Sequence, residues 1–444
     1  MDVRRELEGK SSEDRKKFFA SVPEDFRRKA LASPYLLGRD KQVEALTSTA
    51  DTVLVLCGRG WGKNWLGAHW LLDRIETGHK ATAAIAETAA DVRDDVVDPA
   101  EQGSGVLDFA HQRSLQPNHK ISQSRVELQP AHGESRIQLY SGDSPKSLRG
   151  FSGSVAWIDE LAKMRYADGV WDQVNLTLRE GGDFGSSQLL ITTTPRPTPL
   201  IKELVEDEDV HVIRGSSWEN KSNLDARFQR QLERLDGTDK GRQEVHAEVL
   251  EQAGDLWDFS DINRIHAEDV PELVRIVVGL DPSVSDREGD ECGIVLVGMD
   301  SAENGYVLED FSGQYTTTEW AETVVEAFWA ENHDWPPADT IHAERNQGGG
   351  LVKSQIRSVS ERIAYTSTHT TASKRVRAEP IHTLYQNGEV FHVGQHADLE
   401  DQMTDFLQTE DSPDRVDALV YAVSELLLQD EPSPLDASHV IGLD

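Results

Sequence analysis

Cysteine is almost absent. Cys57 and Cys292 are the only two in 444 residues, and they stand far apart. That scarcity rules against a disulfide framework and makes a reducing interior the default. Long apolar runs are missing too: no stretch reaches the roughly 18 residues of a membrane span. The opening residues Met1 to Glu6 lack the apolar segment of a secretory signal. No His/Cys cluster has zinc spacing, and the 15 histidines are scattered. No Ser-His-Asp arrangement and no internal repeat stand out. Positive charge is the last shortage. Lys and Arg total 45 against 79 Asp and Glu, for a net charge of −34, and arginine outnumbers lysine about two to one.

Acidic chains usually avoid nucleic acid, because binding phosphates takes Lys and Arg. Here the acids are spread along the chain rather than held in one tail. A dispersed acidic surface poor in lysine suits a cytoplasm of very high salt. There the Debye length is about 3 Å and self-repulsion is screened. The charge is therefore read as the mark of a halophilic host. A cation-rich protein partner is the rival reading. The apolar fraction, 37%, suffices for ordinary cores, and the length suits two or three domains.

What is present begins at Cys57-Gly58-Arg59-Gly60-Trp61-Gly62-Lys63-Asn64. The apolar run Thr52 to Leu56 leads into it. A helical pattern follows, with Trp65, Ala68, Leu72 and Ile75 on one face. Strand, glycine loop and helix form the setting of a phosphate-binding loop. Glycines let backbone N–H groups curl round a polyphosphate, the helix start adds its dipole, and Lys63 adds a point charge. Two positions depart from the usual pattern: Cys57 replaces its first glycine, and Asn64 replaces the hydroxyl residue that ligates Mg²⁺. Gln42, about 15 residues upstream, is a candidate to read an adenine edge or a plain solvated helix residue.

Further on, Ala81 to Ala86 reads as a second strand, and Arg125–Leu128 with Ile137–Tyr140 as a strand pair. Val155-Ala156-Trp157-Ile158 ends in Asp159-Glu160. Two carboxylates at the tip of a buried strand need compensation. In a phosphate-loop ATPase, an Asp here holds Mg²⁺ and the next Glu polarises the attacking water. Gln188 to Thr194 is a third strand, ending in hydroxyls that can sense a γ-phosphate. Residues 205–250 are charged and helical in pattern, and residues to about 273 lack periodicity.

A new strand, Val274 to Leu280, ends in Asp281. Cys292–Val297 and Tyr306–Leu308 continue a meander. An Asp on the first strand of such a meander opens an RNase H-like nuclease, which gathers carboxylates from distant strands and a late helix around two divalent ions. Glu344 ends the short strand beginning at Thr340. Asp417 lies one turn into a helix that opens near Asp414 and runs to about Leu428. Asp414 can serve simply as its cap.

These residues together resemble the large terminase subunit of tailed double-stranded DNA viruses. The resemblance spans about residues 36 to 428. It rests on Gly58–Lys63 with Gly67-Ala68-His69-Trp70, Ser147–Gly150, Trp157–Ala162, Thr192–Arg196, Gly279–Pro282, Ala343–Gly349, Lys374–Pro380 and Ser412–Leu419. It implies an α/β chain: a helical N-terminal arm (1–35), a P-loop ATPase domain with a mostly parallel sheet (36–252), a linker (253–273), an RNase H-like nuclease domain (274–429) and a loose tail (430–444). It implies ATP and Mg²⁺ as cofactors, with Mn²⁺ an alternative at the nuclease. Lys63 and Arg59 would hold phosphates, Asp159 Mg²⁺, and Glu160 the water. Thr193 or Thr194 would couple hydrolysis to movement, and Arg149 would reach into a neighbouring subunit's site. Asp281, Glu344 and Asp417 would be the nuclease carboxylates and metal ligands. Lys374, Arg375 and Arg377 would lie along the DNA backbone. The implied partners are double-stranded DNA, a portal protein, a small terminase subunit and further copies in a ring on the procapsid, in the host cytoplasm and without a membrane. A helicase–nuclease of DNA repair and a non-catalytic proviral assembly adaptor are the alternatives.

Overall fold

The computed structural model describes residues 17, 21–23, 33–99, 105–180, 186–236, 239–249, 256–282, 291–331, 333–344, 349–368, 373–406 and 414–428. Most of the expected N-terminal arm and all of the expected tail lie outside these residues. So do Asn346, Gly348, Ser412 and Pro413. The chain divides into two compact units, Met1–Glu251 and Gln252–Asp444.

In the first unit, eight strands form one sheet: β1 (Thr52–Cys57), β2 (Ala81–Ala86), β3 (Asn118–Lys120), β4 (Arg125–Leu128), β5 (Ser135–Ser141), β6 (Val155–Asp159), β7 (Gln188–Thr193) and β8 (Val210–Gly215). Their order is β3-β4-β5-β2-β6-β7-β1-β8. The six strands from β5 to β8 in that order pair in parallel, and β3 and β4 add an antiparallel edge. A parallel sheet is covered on both faces, so its strands are apolar throughout. β1 shows it. Val53, Val55 and Cys57 face one core; Leu54 and Leu56 face the other. Burying each such valine or leucine contributes roughly 1.5–3 kcal/mol. Helix α1 (Asp40–Thr47) precedes β1, and α2 (Lys63–Glu76) follows it directly. Because β6, β7 and β1 are parallel neighbours, their carboxyl ends share one edge, where ligands bind in sheets of this kind.

The helical reading of residues 205–250 holds for Ala226–Leu235 and fails at β8. A helix does run from Pro199 to Glu206, but Val210–Gly215 is a strand beside β1. It is an edge strand in which His211 and Arg214 interrupt the apolar Val210, Val212 and Ile213.

The second unit holds β9 (Asn263–Ile265), β10 (Leu273–Asp281), β11 (Gly293–Asp300), β12 (Gly305–Asp310), β13 (Thr340–Glu344), β14 (Tyr365–Thr368) and β15 (Val390–Val393). Their order is β14-β13-β10-β11-β12-β15-β9. β10, β11 and β12 form the expected antiparallel meander, and the outer pairs are parallel. Helices α3 (Lys374–Gln386) and α4 (Asp414–Leu427) pack here. α4 lies very close to the meander: a Cβ on Gly279 would stand 2.0 Å from the Ala418 carbonyl oxygen. That approach brings Asp417 to the end of β10.

The expected linker, 253–273, is in part structured. Trp257 is buried edge-on to Phe406, ring centroids 5.6 Å apart, and Asn263–Ile265 pairs with β15. Both cysteines are buried and free. Among the described residues, no helix is long and apolar enough to cross a membrane.

Candidate nucleotide and nuclease sites

The glycine loop leaves β1 and turns into α2 at Gly62. Gly62 has φ +95°, in the left-handed region where glycine carries no Cβ penalty. The first N–H groups of α2 have no partner within the helix. Lys63, the first helical residue, is buried. Its Nζ donates to Thr194 Oγ1 at 2.6 Å and pairs with Glu160 Oε1 at 2.7 Å. Burial works most strongly against its charge, but Glu160, Cys57 and Asp159 together outweigh that, and Lys63 titrates above an ordinary lysine.

Asp159 and Glu160 sit at the tip of β6 with opposite electrostatics. Burial, then the neighbouring Glu160 charge, pushes Asp159 up. Burial pushes Glu160 up too, yet Lys63 and then Lys163 hold it below the usual carboxylate range. Pairs driven apart in this way mark acid–base sites. Glu160 is also a non-glycine residue at φ +54°, a conformation that costs about 1–2 kcal/mol. Its N–H donates to the Thr192 carbonyl at 2.6 Å.

Thr192 and Thr193, which end β7, and Thr194 just beyond it have separate partners. Thr194 donates its N–H to Glu160 Oε2 at 3.1 Å. Thr193 Oγ1 accepts the Ala162 N–H at 3.1 Å, just beyond the acidic pair. Thr192 donates to Asp159 Oδ1 at 2.6 Å and accepts from Trp157 Nε1 at 2.8 Å. Sequence reasoning missed Thr192 and Trp157, because both read as ordinary strand residues.

The remaining nucleotide-site candidates are engaged locally. Arg59 ion-pairs with Glu244, and its N–H donates to the Glu244 carbonyl at 2.9 Å. Trp61 is fully buried, with Nε1 donating to Glu219 Oε2 at 2.9 Å. The Gln42 side chain accepts the Arg39 N–H at 3.0 Å and reaches the Gly62 carbonyl at 3.4 Å. It joins α1 to the loop. Asn64 Nδ2 donates to the Asp95 carbonyl at 3.3 Å. Arg149 is exposed, touching Gln173 at 3.2 Å.

In the second unit, Asp281 ends β10 and Glu344 ends the parallel neighbour β13. Asp417 comes from α4 and is buried. Burial, then Asp417 and Asp414, with Glu344 adding less, pushes Asp281 well above the usual carboxylate range. A half-buried group raised by other carboxylates fits a site that takes a cation. As arranged, however, no group of three or more His, Cys, Asp or Glu side chains among the described residues is set to hold a metal ion. Cations of the protein stand among the acids instead. Arg377 Nη1 lies 3.2 Å from Glu344 Oε2, and Nη2 lies 3.3 Å from Asp417 Oδ1. Lys374 Nζ is 2.7 Å from Asp417 Oδ2. The Tyr421 hydroxyl donates to Glu344 and accepts from Arg377 at 2.6 Å. In this arrangement cations of the protein partner Glu344 and Asp417, and Lys374 and Arg377, expected along the DNA backbone, reach those carboxylates. Arg375 pairs with Glu379 at 3.1 Å on the exposed side of the same turn.

Comparisons with known proteins match these two units. The family described as "Terminase large subunit, T4likevirus-type, N-terminal" matches residues 54–264, and "Terminase RNaseH-like domain" matches residues 278–426. No curated protein matches the sequence. Among solved structures, the large terminase of a thermophilic bacteriophage is similar over 87% of this chain and 98% of its own, at 14% identity and TM-score 0.43. The large terminase ATPase domain of Thermus phage P74-26 covers 51% of this chain and 99% of its own, at 18% identity and TM-score 0.38. The large terminase nuclease of thermophilic phage G20c, with bound zinc, covers 37% of this chain and 95% of its own, at 14% identity and TM-score 0.29.

Proposed function

Since the chain belongs to the large terminase subunit family, we propose that its first unit hydrolyses ATP to drive double-stranded DNA into a procapsid, and that its second unit cuts that DNA. The observation that carries the motor half is the meeting of Lys63, Glu160 and Thr194 within hydrogen-bond distance at one sheet edge. The loop amides, Lys63 and Arg59 would bind the phosphates. Asp159, held by Thr192, would take Mg²⁺, which neutralises phosphate charge when bound. Glu160 would orient the attacking water and hold its proton, and that requires it to leave Lys63. Thr194 touches both Lys63 and Glu160, so it would register a change at either. Arg149 is exposed, as a residue acting on a neighbouring copy must be. Such a residue contributes about 10³–10⁵ in rate.

In the second unit, Asp281, Glu344 and Asp417 would hold divalent ions, Mg²⁺ or Mn²⁺. Such ions activate a water and stabilise the leaving oxygen. The motor would track phosphates with little base readout. A portal protein, a small terminase subunit and a ring of copies in the host cytoplasm complete this reading.

ATP turnover and plasmid nicking at high salt test it. Lys63→Ala should abolish turnover, and Asp281→Ala should abolish metal-dependent nicking. Unchanged cutting by Asp281→Ala removes the nuclease assignment. Absence of turnover in the native chain would favour the assembly adaptor.

A further inference from the structure

We propose that the first turn of α3 is a built-in counter-ion for the nuclease carboxylates: Lys374 and Arg377 keep Asp417 and Glu344 from divalent ions until duplex phosphates draw the two cations away. The inference rests on the nuclease reading above and deepens it.

Its basis is geometric. Asp417 is 4% exposed, so its charge needs a partner, and both of its oxygens have one in α3: Lys374 Nζ on Oδ2 at 2.7 Å and Arg377 Nη2 on Oδ1 at 3.3 Å. Arg377 straddles two acids with a single guanidinium, reaching Glu344 with its other nitrogen at 3.2 Å. Charge-assisted bonds of good geometry are about 2.7–2.9 Å long, so the hold of Arg377 on each acid is the looser one. It is steadied from below by Tyr421, whose ring centroid lies 5.3 Å from the guanidinium carbon. Both oxygens of Asp417 and one of Glu344, which a divalent ion would need, are thus already bonded to cations.

The two cations differ in reach. The Lys374 side chain is 42% exposed and that of Arg377 13%. A phosphate arriving from solvent can meet Lys374 first. Guanidinium and ammonium groups bind phosphate as readily as carboxylate. Each cation that moves to the DNA backbone leaves a carboxylate open. Metal affinity and duplex affinity are then linked, and each must raise the other by the same factor. The enzyme would be guarded against cutting when no duplex is seated, by residues that later help to seat it.

Mn²⁺ binding to the full chain, read by electron paramagnetic resonance of the free ion, tests the link. The titration uses high-salt buffer without nucleotide, with and without a short phosphorothioate duplex. Lys374→Ala and Arg377→Gln should each tighten Mn²⁺ binding on the order of tenfold without duplex. The duplex should tighten Mn²⁺ binding to the native chain by a similar factor and add little to the Lys374→Ala chain. Equal or weaker Mn²⁺ binding by both variants overturns the counter-ion role. A duplex effect undiminished in Lys374→Ala overturns the release by phosphate. Asp281→Asn separates this from the underlying reading. If it leaves Mn²⁺ binding intact, the nuclease assignment itself fails. If it abolishes binding while neither cation variant tightens it, the counter-ion role alone fails.

Discussion

Lys63 and Glu160 are ion-paired, Nζ to Oε1, at 2.7 Å. The residue expected to grip phosphate and the residue expected to act on water thus neutralise each other at rest. On that assignment ATP separates them, since one cation cannot serve both the γ-phosphate and a nearby carboxylate at full strength. Glu160→Gln removes one charge and keeps the shape. Nucleotide affinity, measured with a fluorescent ATP analogue, should be equal or tighter, while phosphate release falls about 10²–10⁴-fold. Weakened binding with turnover preserved would contradict the assignment.

Thr192 fixes one oxygen of Asp159 through a chain that begins at the Trp157 indole. Thr192→Val keeps the strand-forming shape and deletes the hydroxyl. ADP affinity without Mg²⁺ should not change. The extra affinity that Mg²⁺ confers should fall by about one order of magnitude, as expected when a partner that orients a metal ligand is lost. Thr192→Ser should restore it. A loss that Mg²⁺ does not affect would point to packing alone.

Gly67 on α2 faces Trp157 on β6, where an added Cβ would stand 2.0 Å from a ring carbon. Both partners lie in a filled core, so neither has room to yield. Gly67→Ala should destabilise the first unit by about 1–3 kcal/mol, despite alanine's better helix propensity. Chemical denaturation followed by tryptophan fluorescence reports it.

Asp281 is pushed well above the usual carboxylate range by burial and by Asp417. A raised carboxyl favours the fold fully below its unfolded value of about 3.9. That contribution disappears as pH climbs through the folded value. Asp281→Asn stays neutral, so its advantage over the native chain should grow as pH rises from 4. In metal-free buffer at neutral pH the melting temperature of the second unit should rise by roughly 2–4 °C. Scanning calorimetry at several pH values measures this. A variant less stable than the native chain at neutral pH would contradict it.

Much of this arrangement was legible in the sequence. The buried parallel strands β1, β2, β6 and β7 read as short apolar runs, because both of their faces are covered. Asp159, Glu160, Asp281 and Glu344 stand where those runs or the later ones stop, so each acid could be placed at a strand tip. The edge strands were not legible in the same way. β8 is half exposed and flanked by charge, and β9 spans only Asn263–Ile265. Pairings between distant residues left no local trace either. Nothing near Arg59 announces Glu244, and nothing near Lys374 shows that it meets Asp417 rather than solvent. Charge in a sequence tells what can pair, while the fold alone decides which partners meet.

The short strand β9 has a practical bearing. Its central residue, Arg264, reaches across to Glu400, a carboxylate with no exposure that also bonds His392 at 2.9 Å. A fragment begun at Val274, where the apolar run starts, would be severed from Arg264, from Trp257 and from the cover of β15. It would carry an interior anion stripped of its arginine and a raw sheet margin prone to self-association. A soluble excised cutting half therefore has to start upstream of Trp257, well before the first strand that its sequence announces.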